Sequence, residues 1–243
     1  MGVTALMSVT MLLAACSPHP AVGPGGPGAD FGAAGAQTPS ARYALEWDGR
    51  PVGTETVRVD RRDGHARWRG QLDQTEPLDT SLEWELWLEP ARGELAGFEI
   101  RLRVLEETVW TRGWREGDRL RLEGQALGQR RDGGLGYGPG TAVELGSPLS
   151  MWWAGRRLLP ALDPGDAADV RCVVVRPPTL APEVQVLSVR RDSESELAIE
   201  GPGDERTRIE LDPDGWPRLL VTDRPRWARS LIRRRLPAPE DVR

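Results

Sequence analysis

The chain has 243 residues, 37 of them acidic and 32 basic, for a formal net charge of −5. Such a balance disfavours nucleic-acid binding, which draws its affinity from an excess of cations neutralising phosphates. Every basic residue in that total is Arg, and beside abundant Gly, Ala and Pro this reads as coding bias without functional weight.

The first predicted element is a short apolar stretch within Met1 to Ala15, containing Leu6, Met7, Val9, Met11, Leu12 and Leu13. A membrane-spanning helix needs about 20 apolar residues. A shorter run ending in small residues reads as a secretory signal, here with no Arg or Lys ahead of it. Leu13-Ala14-Ala15-Cys16 then resembles a bacterial lipobox. The resemblance implies transfer of diacylglycerol to the Cys16 sulfur, cleavage before that residue and N-acylation of the new terminus. Covalent acyl chains slow detachment from a bilayer, because each buried methylene contributes about 0.8 kcal/mol. Ser17 rather than Asp in the next position resembles the sorting pattern of outer-membrane cargo. The expected location is therefore the cell envelope, at the outer membrane and facing the periplasm or the cell surface. Beyond Cys16, residues to 41 are rich in Gly, Pro and Ala and nearly free of large apolar side chains, as in a tether that buries too little to order itself.

About 200 residues remain, from Arg42 to Arg243, enough for one sizeable domain or two small ones, and one is expected. Cys16 and Cys172 are the only cysteines. With the first reserved for lipid no disulfide is available, and Cys172, in phase with Val170 and Val174, reads as a small buried hydrophobe.

From Tyr43 the pattern has a period of two: Tyr43, Leu45 and Trp47 face one way, Glu46 and Asp48 the other. Asp48-Gly49 predicts a hairpin turn into a strand through Val57 and Val59, followed by one carrying Trp68. Leu82, Trp84, Leu86 and Leu88 alternate with acids, and Phe98, Ile100, Leu102 and Val104 alternate with Glu99, Arg101 and Arg103, as half-buried antiparallel strands do. Trp110 to Trp114 and Leu120 to Leu122 flank a turn at Glu116-Gly117-Asp118. A helix is predicted from Ser147 as N-cap with Pro148 at the first position, through Trp152, Trp153 and Leu159, stopping at Pro160. Further strands are expected at Val170 to Val175, Val184 to Val189, Leu197 to Ile199 and Ile209 to Leu211, with a turn at Asp212-Pro213-Asp214-Gly215. A second helix is predicted from Pro225 through Trp227, Leu231 and Ile232. The fold class is thus mainly β: a large curved antiparallel sheet, or half-barrel, with one or two short helices.

This order of strands, with the Ser147 to Pro164 helix and the Asp212 to Pro217 turn, resembles the periplasmic half-barrel lipoproteins typified by the LolA and LolB carriers, and a related group of uncharacterised bacterial proteins. The resemblance implies a concave face that holds acyl chains or other apolar matter.

The chain carries 10 Trp, and Trp stacks on sugars or lines lipid grooves as readily as it fills a core. Trp47, Trp68 and Trp84 are in phase with apolar neighbours and are assigned to the core. Trp87 is out of phase, and adjacent Trp152 and Trp153 point in different directions on a helix, so these three are the candidate ligand-facing residues. Arg233, Arg234 and Arg235 are candidates for contact with anionic head groups, or for a solvated helix end. Acidic pairs such as Glu83 and Glu85 lie on regular strand faces opposite Arg. His65, in a turn after Gly64, is the only His beyond residue 41, which leaves no His triad and no multi-His metal site. A non-catalytic protein is expected, without a cofactor other than the lipid on Cys16. Three roles stay open: binding or carrying an acyl or other apolar ligand, or serving as an accessory subunit; a glycan- or peptidoglycan-binding module using exposed Trp; and a purely structural interaction protein.

Overall fold

The computed structural model describes residues 40–62, 65–76, 79–89, 94–126, 128–158, 162–176, 180–202, 205–224 and 229–237. The apolar amino-terminal stretch, Cys16, the tether as far as Pro39 and Trp227 lie outside them, whereas Ser40 and Ala41, read from the sequence as the end of the tether, belong to the first strand. Eight strands come first: β1 (Ser40–Trp47), β2 (Arg50–Arg62), β3 (His65–Gln74), β4 (Thr80–Leu88), β5 (Leu95–Val104), β6 (Glu107–Glu116), β7 (Arg119–Ala126) and β8 (Gln129–Gly136). A short β9 (Ala142–Leu145), a 3-10 turn (Pro148–Met151) and helix α1 (Trp152–Leu158) follow. The chain closes with β10 (Ala167–Arg176), β11 (Ala181–Arg191), β12 (Glu196–Glu200), β13 (Arg206–Leu211), β14 (Pro217–Arg224) and β15 (Arg229–Arg235).

All of these strands join one sheet, in the order β8-β7-β6-β5-β4-β3-β2-β1-β15-β14-β13-β12-β11-β10-β9. Every neighbouring pair is antiparallel except β9 with β10, which are parallel. The curved, mainly antiparallel sheet read from the sequence is the architecture observed. Local turn chemistry sets much of it. Asp48 and Gly49 both take positive φ, 49° and 76°, as a two-residue hairpin of matching twist requires, and Trp47 pairs with Arg50 across it. At the second predicted turn the Gly215 amide donates to the Asp212 carbonyl at 2.8 Å.

The described part of the second predicted helix is not helical: Arg229–Arg235 is strand β15, paired with β14 on one side and β1 on the other. The run Trp227, Leu231, Ile232 fits a helical stripe, but Leu231, Arg233 and Arg235 also fit a period of two once the inward places beside Tyr43 and Leu45 accept arginine. Tertiary pairing decides where local pattern is ambiguous.

One face of the sheet carries the core. Tyr43, Leu45, Val57, Val59, Trp68, Leu82, Trp84, Leu86, Phe98, Ile100, Leu120, Cys172, Ile209 and Leu220 all lie on it and are buried. That face is concave, for the rings of Trp68 on β3 and Trp216 before β14 meet at 5.6 Å although β2, β1 and β15 separate their strands in the ladder. Trp68 and Trp84 are core residues as expected, and Trp47 packs at the core's edge.

On β9 and β10 the opposite face is buried too, through Val143, Leu145, Val173 and Val175, whereas Glu83 and Arg101 on the same side of β4 and β5 are exposed. Two bonds identify the cover. Thr111 of β6 donates its hydroxyl to the Leu180 carbonyl at 2.8 Å, and Arg171 of β10 donates to the Gly136 carbonyl of β8 at 3.2 Å. The sheet is therefore rolled until its two ends meet, with the β9–β10 pair covered on both faces as parallel strands generally are.

Candidate functional site

The 3-10 turn and α1 lie against β9 at the inner face. Ser147 caps the turn: its hydroxyl accepts from the Leu149 amide at 3.2 Å, and Pro148 occupies the first position, as the sequence predicted. Ser150 donates to the Ser147 carbonyl at 2.6 Å and accepts from the Leu145 amide at 2.7 Å, tying the turn to the end of β9. Trp152 donates its indole N–H to the Gly215 carbonyl at 3.2 Å, which joins the helix to the β13–β14 turn. Trp152 and Trp153 are 3% and 4% exposed. Successive helical residues point about 100° apart, so two buried neighbours mean that protein surrounds the helix on more than one side. Neither Trp offers an open surface to a sugar, which corrects that expectation for this pair.

Two cavities lie between this helical segment and the sheet. The first, about 30 Å³, is apolar and is lined by Trp152, Ala154, Gly155, Val170, Val189 and Leu197 among others. The second, about 20 Å³, has a wall of mixed character, with Glu144, Arg176, Glu205, Thr207, Thr222 and Arg233 beside apolar side chains. Pro148, Met151, Leu187 and Ile199 line both, so the two adjoin beneath the helical segment, the more apolar beside the more polar. Each has room for no more than one or two waters, far short of the roughly 300–1,000 Å³ of a small-molecule pocket. Ligand uptake here therefore requires α1 to move.

Charges at the second cavity are matched inside the protein. Arg233, 3% exposed, donates to Glu55, fully buried, at 2.7 Å across β1. The Arg176 guanidinium lies 3.5 Å from Glu144 and 3.0 Å from Glu205. Burial alone would lower its affinity for the proton, but the two carboxylates outweigh that and raise its pKa. Thr207 and Thr222 share a hydrogen bond of 3.1 Å. Under the helix, Cys172 is fully buried with its Sγ 3.5 Å from Met151 Sδ, and burial pushes the thiol well above its ordinary pKa, the setting of an unreactive cysteine.

The three arginines do not form one cationic surface. On a strand they alternate. Arg233 is the buried partner of Glu55, Arg235 reaches Asp212 and Asp214 at 2.8 Å each, and Arg234 on the outer side lies 3.9 Å from Glu46. Head-group contact by Arg233 is thereby corrected: its charge is inside the barrel. Trp87 is half-buried on the outer face, where it pairs with Gly97, which in turn pairs with Trp114, 39% exposed.

Sequence reasoning missed the interior charges and Trp114. A signal for the former exists, since Glu55 is in phase with Val57 and Val59, and Arg233 with Leu231. A charge in the apolar phase marks a buried pair when the chain supplies its opposite elsewhere. Trp114, like Trp110, stands in the outward phase set by Thr111 and Gly113, which are buried.

No family model matches this chain, and no curated protein does. Two solved structures match the chain. A beta-barrel-like protein of domain of unknown function DUF1849 from Brucella abortus matches with a TM-score of 0.54 and 12% identity over 81% of this chain and 94% of its own. A DUF1089 family protein from Pseudomonas aeruginosa matches with a TM-score of 0.48 and 17% identity over 79% of this chain and 95% of its own. The chain has a beta-barrel-like fold, as the Brucella abortus protein does.

Proposed function

We propose that the protein is a non-catalytic envelope lipoprotein, held to a membrane through lipid on Cys16, that binds an acyl or similar apolar chain in the cleft beneath α1. The observation that carries the reading is the adjacency of an apolar and a more polar cavity along shared walls, which suits a ligand with an apolar chain and a polar end. A tether on the same chain sets such a domain where acyl ligands are abundant. The helix is short, and its bond from Trp152 to Gly215 is a single contact that a chain pushing in beside Trp152 would break. Organic extracts of the full chain carrying Cys16→Ser, purified from the envelope-soluble fraction, should contain a stoichiometric acyl compound by mass spectrometry. Extracts free of one would overturn the ligand reading. Cys16→Ser that stays in the membrane fraction would overturn the anchor.

A further inference from the structure

The outer face carries a second candidate surface, unconnected with the cleft. One cross-strand row on that face runs Arg67, Trp87, Gly97, Trp114, Arg121, Gly134 over β3 to β8. Gly97 is what shapes it. A Cβ at Gly97 would stand 3.1 Å from the Trp87 ring and 2.8 Å from the Gly113 carbonyl, so the ring leans across β5 over a residue with no side chain. A register shift between Trp87 and Leu88 accompanies the lean. Trp114 continues the aromatic shelf on β6, two strands away and so roughly 10 Å from the Trp87 backbone, about the length of a disaccharide. A guanidinium lies over each ring, Arg67 at 6.0 Å from the Trp87 centroid and Arg112 at 5.9 Å from that of Trp114, so a sugar stacking on either ring displaces an arginine that already uses the face.

The adjoining row reads Arg69, Glu85, Glu99, Arg112, Glu123, Asp132, four acids against two bases. With Arg67 and Arg121 of the first row the two rows hold four acids and four bases, a balance that offers an anionic membrane or polymer no net attraction. They supply acceptors and planar donors for hydroxyl and amide groups beside faces on which a sugar ring stacks. We infer that Trp87 and Trp114 form a stacking platform, floored by Gly97, for a glycan chain of neutral or N-acetylated amino sugars lying across β4 to β6.

A hexasaccharide of N-acetylglucosamine, titrated into the full chain carrying Cys16→Ser and followed by calorimetry, tests this. Saturable binding is expected, roughly tenfold weaker in Trp114→Ala, as loss of one aromatic contact implies, and retained in Trp114→Phe, which keeps a ring face. Near-UV circular dichroism checks that both variants hold the wild-type packing. Absence of binding by the wild-type chain overturns the proposal, as does equal binding by Trp114→Ala. So does Trp114-dependent capture of phosphatidylcholine vesicles without sugar binding, which would make the shelf a membrane-interface belt.

Discussion

Gly70 on β3 sits where a Cβ would come within 2.0 Å of the Trp84 indole, because that ring lies flat across it from β4. Gly113 stands in the same relation to Phe98, whose ring would be 2.4 Å from an added Cβ. Both glycines are inward residues that leave volume for the aromatic ring of the neighbouring strand. Gly70→Ala should therefore destabilise by roughly 1–3 kcal/mol through overpacking, read from the urea midpoint, and an unchanged midpoint would show that the ring has somewhere else to go. Glu55 and Arg233 set the other residue-scale expectation. Removing one member of a buried pair strands its partner's charge at a cost of about 3–5 kcal/mol, whereas replacing both with apolar groups is often neutral. Arg233→Leu alone should show the full loss in denaturant melts, and Glu55→Leu with Arg233→Leu should recover most of it. A double variant no better than the single one would mean that the pair is not the reason for the cost.

At the scale of elements, the helical segment depends on its first turn. Ser147 is fully buried and caps the 3-10 turn, so Ser147→Ala should cost about 0.5–2 kcal/mol. Because that turn leads into α1, amide hydrogen exchange at Leu149 to Ala154 should speed up more than exchange in β4 or β5. Uniform acceleration would mean that the cap supports the whole barrel instead. Elements of this kind were legible in the sequence because their cues are local: Ser147-Pro148 for the cap, Asp48-Gly49 for the hairpin, strict alternation for β4 and β5. The strand β15 was not, since its apolar spacing satisfies two periods and only pairing with β1 and β14 chooses between them. The burial of both Trp152 and Trp153 was hidden for a related reason. Helical geometry tells which way each ring points, but not that protein lies in both directions. Of the candidate site, Trp152 was named but for the wrong environment, and the polar wall of Arg176, Glu144 and Glu205 comes from strands distant in sequence.

For the whole molecule, the curved open sheet read from the sequence is rolled enough to bring its two ends into contact. Its β9–β10 end is covered on both faces and meets β6 and β8 through Thr111–Leu180 and Arg171–Gly136. Side chains fill most of the described concave face, so the functional reading concentrates on the cavities between the helical segment and the sheet. The most direct test is a titration of the full chain carrying Cys16→Ser with a fluorescent long-chain acyl probe, beside the same chain with Ala154→Leu, which fills the apolar cavity. Saturable binding at one probe per chain, lost or weakened at least tenfold by Ala154→Leu, is the result expected. No saturable binding, or equal affinity in the two chains, would contradict it.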